Sequence, residues 1–399
     1  MERSAMMEHP ALLTVITLRF IPAFVALRMG DGDVTSLILV FDERCDILYE
    51  VSLYSSRTMN RRHFLQASLL LTGSGLAMSS LRSQEAGVDP KSFIANGGEG
   101  PQKHLTCYPD TDNGRHQLHQ LWVLYDNATL LSYRAHPSQK YPFFSPMAGP
   151  ISGLPLVTET GRPWPHHRGV FFGLDRVNGG NYWQDTLEKG QIISQGPAFA
   201  KENGQYKVSA TTAEIVDRCL WQQGTNEPII EDQRQFVVKV LDERRYILDV
   251  SIVVKALTDI TVLQTNHGLF GVRCTHDLSP DGGGTLESSE GVKGERDTLG
   301  KPARWLAFYG KRAKLKEEIV EGIAVFCPSK APHPRFENCP WFTRDYGNIS
   351  PTPMNWLGTD PFVLSRGEDL KLRYRVVVFG GTPAEAGLND LWSEFDRLG

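Results

Sequence analysis

The chain has 399 residues, a formal charge of −4 and a pI near 6.3, with no long Lys/Arg block, so a nucleic-acid partner has no electrostatic basis. No uninterrupted apolar stretch reaches 18 residues, which argues against an integral helical span; the nearest approach, 11–27, contains Arg19 and Pro22.

In chain order, the first informative segment is 59–77. Arg61 and Arg62 are followed by Phe64, Leu65 and a short, weakly apolar run rich in Gly and Ser. This is the layout of a twin-arginine export signal: a charged start, a short apolar stretch and small residues near a cleavage point. It begins near Met59. Residues 1–58 therefore read as a mis-called upstream extension, 59–86 as the signal, 87–110 as a linker and 111–399 as a single domain. The mature protein is expected in the periplasm or outside the cell.

Five cysteines lie in the body (Cys107, Cys219, Cys274, Cys327 and Cys339), none in a CxxC arrangement. Cys327 and Cys339 are the closest pair. An oxidising compartment permits a bond between them, but spacing does not establish one.

From about Gln117 the body reads as β structure. Residues 236–241 form a strand-like run, 242–245 a turn, 246–257 a second dense β-branched run and 260–263 the start of a third; 370–378 alternates before becoming fully apolar. Long adjacent strands joined by turns predict large antiparallel sheets. The one good helix candidate is 382–398, with Pro383 in its first turn and Leu388, Leu391, Trp392 and Phe395 on an apolar stripe.

Polar and aromatic residues concentrate in three places. The first is 162–183. If a strand begins at Pro165, His167, Gly169, Phe171 and Gly173 share one face, and His166 and Arg168 the other. His167 is then expected to line a cleft and His166 to lie away from it. Asp175, Asn178 and Trp183 follow; acids and amides beside aromatics suit sugar hydroxyls and C–H faces. The second is 265–305, with His267 and Arg273 at matching parity, then Glu290, Lys301 and Trp305. The third is 333–347, with His333, Trp341, Arg344 and Asp345. No HExxH or compact three-ligand spacing is present, so no cofactor is expected; His136, His166, His167, His267 and His333 leave a divalent metal assembled from separate strands as an alternative.

The chain resembles the PmoA-like domain family, labelled for methane oxygenase but without an assigned function. The resemblance rests on 134–137, 165–169, Asn178-Gly179 with Tyr182-Trp183, 268–273, 289–291, 301–305, His333-Pro334, Trp341 with 344–347, and 372–375, over roughly 118–380. It implies a β-supersandwich similar to galactose mutarotase, in which a concave sheet supports a carbohydrate and His and Glu act as acid–base partners. The residues of this chain do not align individually with those partners. His167, His267, Glu290 and Asp345 are therefore the expected catalytic groups by chemistry alone. His136, Arg168, Asp175, Asn178, Trp183, Arg273, Lys301, Trp305, His333, Trp341 and Arg344 are the expected substrate contacts. The leading expectation is an exported enzyme acting on a sugar or glycoside by acid–base chemistry. A glycan-binding module without turnover and a metal-dependent oxidoreductase are the alternatives.

Overall fold

The computed structural model describes residues 103–111, 117–266, 268–313, 315 and 317–398, with 117 and 118 by backbone alone, together with the backbone of short strands further N-terminal. The chain divides into two units, Met1–Ser83 and Gln84–Gly399. In the first, Phe24–Arg28, Val34–Phe41 and Ile47–Glu50 form a three-stranded antiparallel meander. The signal-like segment 59–86 and His267 lie outside the described residues.

The second unit is built on two large antiparallel sheets. One follows the order Trp341–Arg344, Asn348–Pro351, Gly268–Arg273, Val170–Val177, Phe143–Met147, Ala128–Arg134, Gln117–Tyr125, Leu105–Thr111 and Ala95–Asn96. The other runs Gln191–Ser194, Thr212–Gln222, Ile230–Asp242, Arg245–Ala256, Asp369–Gly380, Val320–Phe326, Trp305–Lys311 and Thr285–Ser288. The long central strands of the second sheet alternate buried and partly exposed residues, the period-two pattern of a sheet with one face on a core. The expected strands at 236–241 and 370–378 run longer than anticipated, as Ile230–Asp242 and Asp369–Gly380, because charged residues such as Glu231 and Asp369 continue the ladders; the one expected at 246–257 is Arg245–Ala256.

Apolar side chains from both sheets meet between them. Phe144 packs edge-on against Phe236 at 4.8 Å, and Phe270 stacks on Tyr374 at 4.4 Å. Polar groups cross the same layer: Tyr133 donates to Asp217 at 2.8 Å, and Tyr246 donates to Ala148 O at 2.9 Å. The opposite face of the second sheet is covered by the helix Leu388–Arg397, whose Leu388, Leu391 and Phe395 bury against Ile247, Trp305, Phe326 and Phe379.

Two boundaries differ from expectation. Leu105–Thr111 falls in the segment read as a linker, yet it pairs with Gln117–Tyr125 and its Leu105 and Cys107 are fully buried. Two apolar side chains at alternate positions suffice to seat a strand that composition alone marks as a linker. The C-terminal helix starts at Leu388 instead of 382, because Gly387 adopts a left-handed φ of 67°. Before it, Thr382 and Glu385 form reciprocal bonds, Thr382 N–H to Glu385 Oε2 at 2.8 Å and Glu385 N–H to Thr382 Oγ1 at 3.3 Å. This is a capping box closing a separate turn.

Candidate functional site

The site begins with the strand Val170–Val177. Phe172 points into the sandwich, with its ring 5.7 Å from Trp221 and under the Arg234 guanidinium. Phe171, Gly173 and Asp175 therefore share the outward face. Trp183 lies flat on that face, stacked on Phe171 at 5.4 Å and only 1% exposed. A Cβ at Gly173 would come within 3.2 Å of Trp183 Cδ1, so the missing side chain is what lets the indole lie against the strand.

Both adjacent histidines pack on this indole. The ring of His167 is 4.6 Å from Trp183 and that of His166 5.0 Å, and the two imidazoles are 4.7 Å apart. The expected split of the pair onto opposite faces is corrected. The strand begins only at Val170, and Gly169, with φ +54°, breaks the extended backbone before it. Residues 164–167 form a turn closed by His167 N–H to Trp164 O at 3.1 Å. Tyr141 donates to His166 O and holds the turn from below. His167 is the buried member, at 3% exposure, and His166 is half-buried. Trp164, 6.0 Å from His166 and 47% exposed, stands at the rim.

Beyond His167 the face continues to Tyr346, 5.8 Å away ring to ring. Burial pushes the Tyr346 phenol up to about 12. The Arg273 guanidinium sits 4.5 Å over the Tyr346 ring and donates to Tyr346 O and, at 2.6 Å, to Arg162 O. Burial holds its pKa below the usual arginine range. Asn348 is the cross-strand partner of Arg273. Asn348 Oδ1 and Arg273 Nε are both buried, and among the described residues neither has a hydrogen-bond partner. Asp175, 4% exposed, lies two residues beyond Gly173 on the same strand face.

The structure thus brings together His166, His167, Trp183, Tyr346 and Arg273, with Asn348 and Asp175 on the same sheet face. Arg168 borders the group, donating to Gln139 and lying over Phe143 at 5.7 Å. Other expected contacts are engaged elsewhere. Both ends of the Asn178 amide tie its turn to the chain at Asp259 and Thr261. Arg344 pairs with Glu295 at 3.0 Å, and Asp345 Oδ1 accepts from Glu295 N–H at 2.8 Å, so this pair secures a short helix. Glu290 is exposed on the second sheet's edge hairpin, 3.5 Å from Arg304, and shares a pocket of about 60 Å³ with Lys301. Trp305 is buried under the C-terminal helix and donates to Asn389 at 3.0 Å. Trp341 is fully buried and donates to Ala303 O. His333 accepts from Arg335 N–H at 3.2 Å and packs on Phe362 at 5.1 Å; His136 bonds Ser138 at 2.8 Å. Among the described residues no three His, Cys, Asp or Glu side chains converge in a way that would hold a metal ion, and no helix is long and apolar enough to cross a membrane.

Sequence reasoning left out Trp164, Tyr346 and Asn348 as site residues. Trp164 had a usable signal, a tryptophan held between Pro163 and Pro165. Asn348 had none, because its place depends on the ladder to Arg273.

A model of a family of unknown function, DUF6807, matches residues 120–393. The chain belongs to this family. The match supplies no activity and does not carry the PmoA label that the sequence resemblance suggested. No curated protein matches the DUF6807 chain in sequence. Among solved structures, it is similar to galactose 1-epimerase from Lactobacillus acidophilus NCFM, at 10% identity over 70% of this chain and 99% of that one, with a TM-score of 0.32. It is also similar to the galactosidase domain of the α-galactosidase–sucrose kinase AgaSK, at 9% identity over 69% of this chain and 40% of that one, with a TM-score of 0.29. The antiparallel two-sheet architecture stands on the strand pairing itself, and likeness at these TM-scores adds nothing to it.

Proposed function

We propose that this DUF6807 protein is an exported, carbohydrate-active enzyme that moves protons on a sugar through the His166–His167 pair. The observation that carries the reading is the packing of two imidazoles on one buried indole, beside a buried cation and a buried amide. Trp164 at the rim offers aromatic surface for sugar C–H groups, Trp183 beneath the histidines holds them in place, and Asn348, Asp175 and Arg273 offer an acceptor, an acid and a cation on the same face. His166 is the reachable imidazole and acts as the acid–base group that touches substrate; His167 backs it and fixes its position. Arg273 stabilises negative charge that develops on a substrate oxygen. Asp175 takes the carboxylate role expected of Glu290 or Asp345, whose side chains are engaged elsewhere.

The test is a screen of the purified protein against sugars, oligosaccharides and oxidised glycosides, followed by product analysis. Turnover that disappears in His166→Ala supports the proposal. Saturable glycan binding with no product across the panel assigns a binding module instead. Export is tested separately by fusing residues 59–86 to a folded reporter; replacing Arg61 and Arg62 with lysines should abolish its translocation.

A further inference from the structure

Cys327 and Cys339 take no part in the site above. Val320–Phe326 pairs with the strand Asp369–Gly380 only from Arg375 onward. Beyond Phe326 the chain turns away, and residues 327–339 come to wall a cavity of about 270 Å³ beside Leu372 and Tyr374. Both cysteines line this cavity, with Ile252 and Phe336 among its apolar walls. Both are free thiols here, 7% and 4% exposed. The Cys339 thiol donates to Pro340 O at 3.7 Å, and its interaction with Cys327, followed by burial, holds it well above the usual thiol range. The same cavity is lined by Lys330, Lys371 and Arg373 and by no carboxylate. Nearby cations favour a thiolate and draw in an anionic reagent. Cys339 is engaged as a donor to Pro340 O, so Cys327 is the thiol placed to react first.

We propose that Cys327 and Cys339 are a redox dithiol, oxidised to an intramolecular disulfide by a small anionic disulfide that enters this cavity. The Cys327 thiolate attacks one sulfur of the incoming disulfide, forming a mixed disulfide and expelling one thiolate. Cys339 then loses its proton and attacks the Cys327 sulfur, expelling the second thiolate. Two electrons and two protons pass to the reagent, which leaves as two thiols. The new bond staples the 327–339 wall of the cavity.

The full chain, reduced and then exposed to oxidised glutathione, tests this. Denatured wild-type protein should lose two of its six titratable thiols, and peptide mapping should recover a Cys327–Cys339 link lighter by two hydrogens. Cys339→Ser should accumulate a glutathione adduct on Cys327. Cys327→Ser should modify Cys339 at least about tenfold more slowly. No thiol loss, or a link between any other pair, overturns the proposal; faster adduct formation on Cys339 overturns the order of attack. The wild-type readout needs no substitution, so a variant that fails to fold does not obscure the result.

Discussion

His166 and His167 are adjacent in sequence and differ in reach. His167 is enclosed by Trp183, Tyr346 and its neighbouring imidazole, whereas His166 is half-buried below the rim residue Trp164. His166→Ala should therefore lower kcat by about 10²–10⁴-fold while leaving the urea midpoint nearly unchanged. His167→Ala should lower activity and also remove about 1–3 kcal/mol of stability, because it leaves a hole among packed rings. Equal stability losses in the two variants would contradict this division. A second residue gives a pH test. Burial lowers the pKa of Lys140 from the usual 10.5 to about 8, although its ammonium donates to Thr186 O at 2.7 Å. Below pH 8 both folded and unfolded chains hold the proton, and the burial penalty is fully present. Between pH 8 and 10.5 the unfolded chain holds a proton that the folded one has released, so this group's contribution to stability rises with pH. Lys140→Met should therefore be most favourable relative to wild type below pH 8, by roughly 2–3 kcal/mol, and lose that advantage by pH 10.5. Paired urea titrations at pH 7 and 10.5 measure the difference.

At the scale of elements, the segment around Trp305 shows how a site-like pattern can be structural. Lys301, Arg304 and Trp305 combine cations with an aromatic, as a sugar site does, yet Trp305 faces the C-terminal helix and bonds Asn389. Trp305→Phe should cost about 1–3 kcal/mol through the lost hydrogen bond and the smaller ring. It should leave any sugar affinity unchanged, and isothermal titration with the ligand found in the screen checks that. The turn 164–169 is the opposite case. Its sequence suggested a strand entering the sheet, but Gly169 takes a positive φ, and a Cβ there would meet Phe144 O at 1.9 Å. The backbone must bend at that glycine, and the bend puts both histidines on Trp183.

At the scale of the whole molecule, the layers are joined by polar groups as well as by apolar packing. Arg234 and Asp232 form a bidentate pair with contacts of 2.6 and 2.9 Å, nearly inaccessible to solvent. Trp221 donates to the same carboxylate at 2.6 Å, and Arg234 lies over Phe172 of the facing sheet. Arg234→Met would leave Asp232 buried and uncompensated, and should cost about 3–5 kcal/mol. The double change Arg234→Met with Asp232→Leu should recover part of that loss. Urea midpoints of the single and double variants decide it, and a single-variant loss below about 1 kcal/mol would show that the buried pair does not stabilise this layer.

Sequence alone determined the β architecture, because period-two alternation over 230–256 and 369–380 reports which side chains face a core, and that information is local. It also marked the densest part of the site, since Pro165, His166, His167 and Trp183 lie within one short stretch. It did not determine which histidine is reachable, because that depends on a single positive φ at Gly169. Nor did it separate Trp183, against the site strand, from Trp305 and Trp341, packed elsewhere. An indole in a polar setting looks the same in sequence whether its face meets a strand, a helix or solvent. Arg273, Tyr346 and Asn348 meet near His167 only through ladders between strands more than 70 residues apart in sequence, a pairing decided by the register of the assembled sheet.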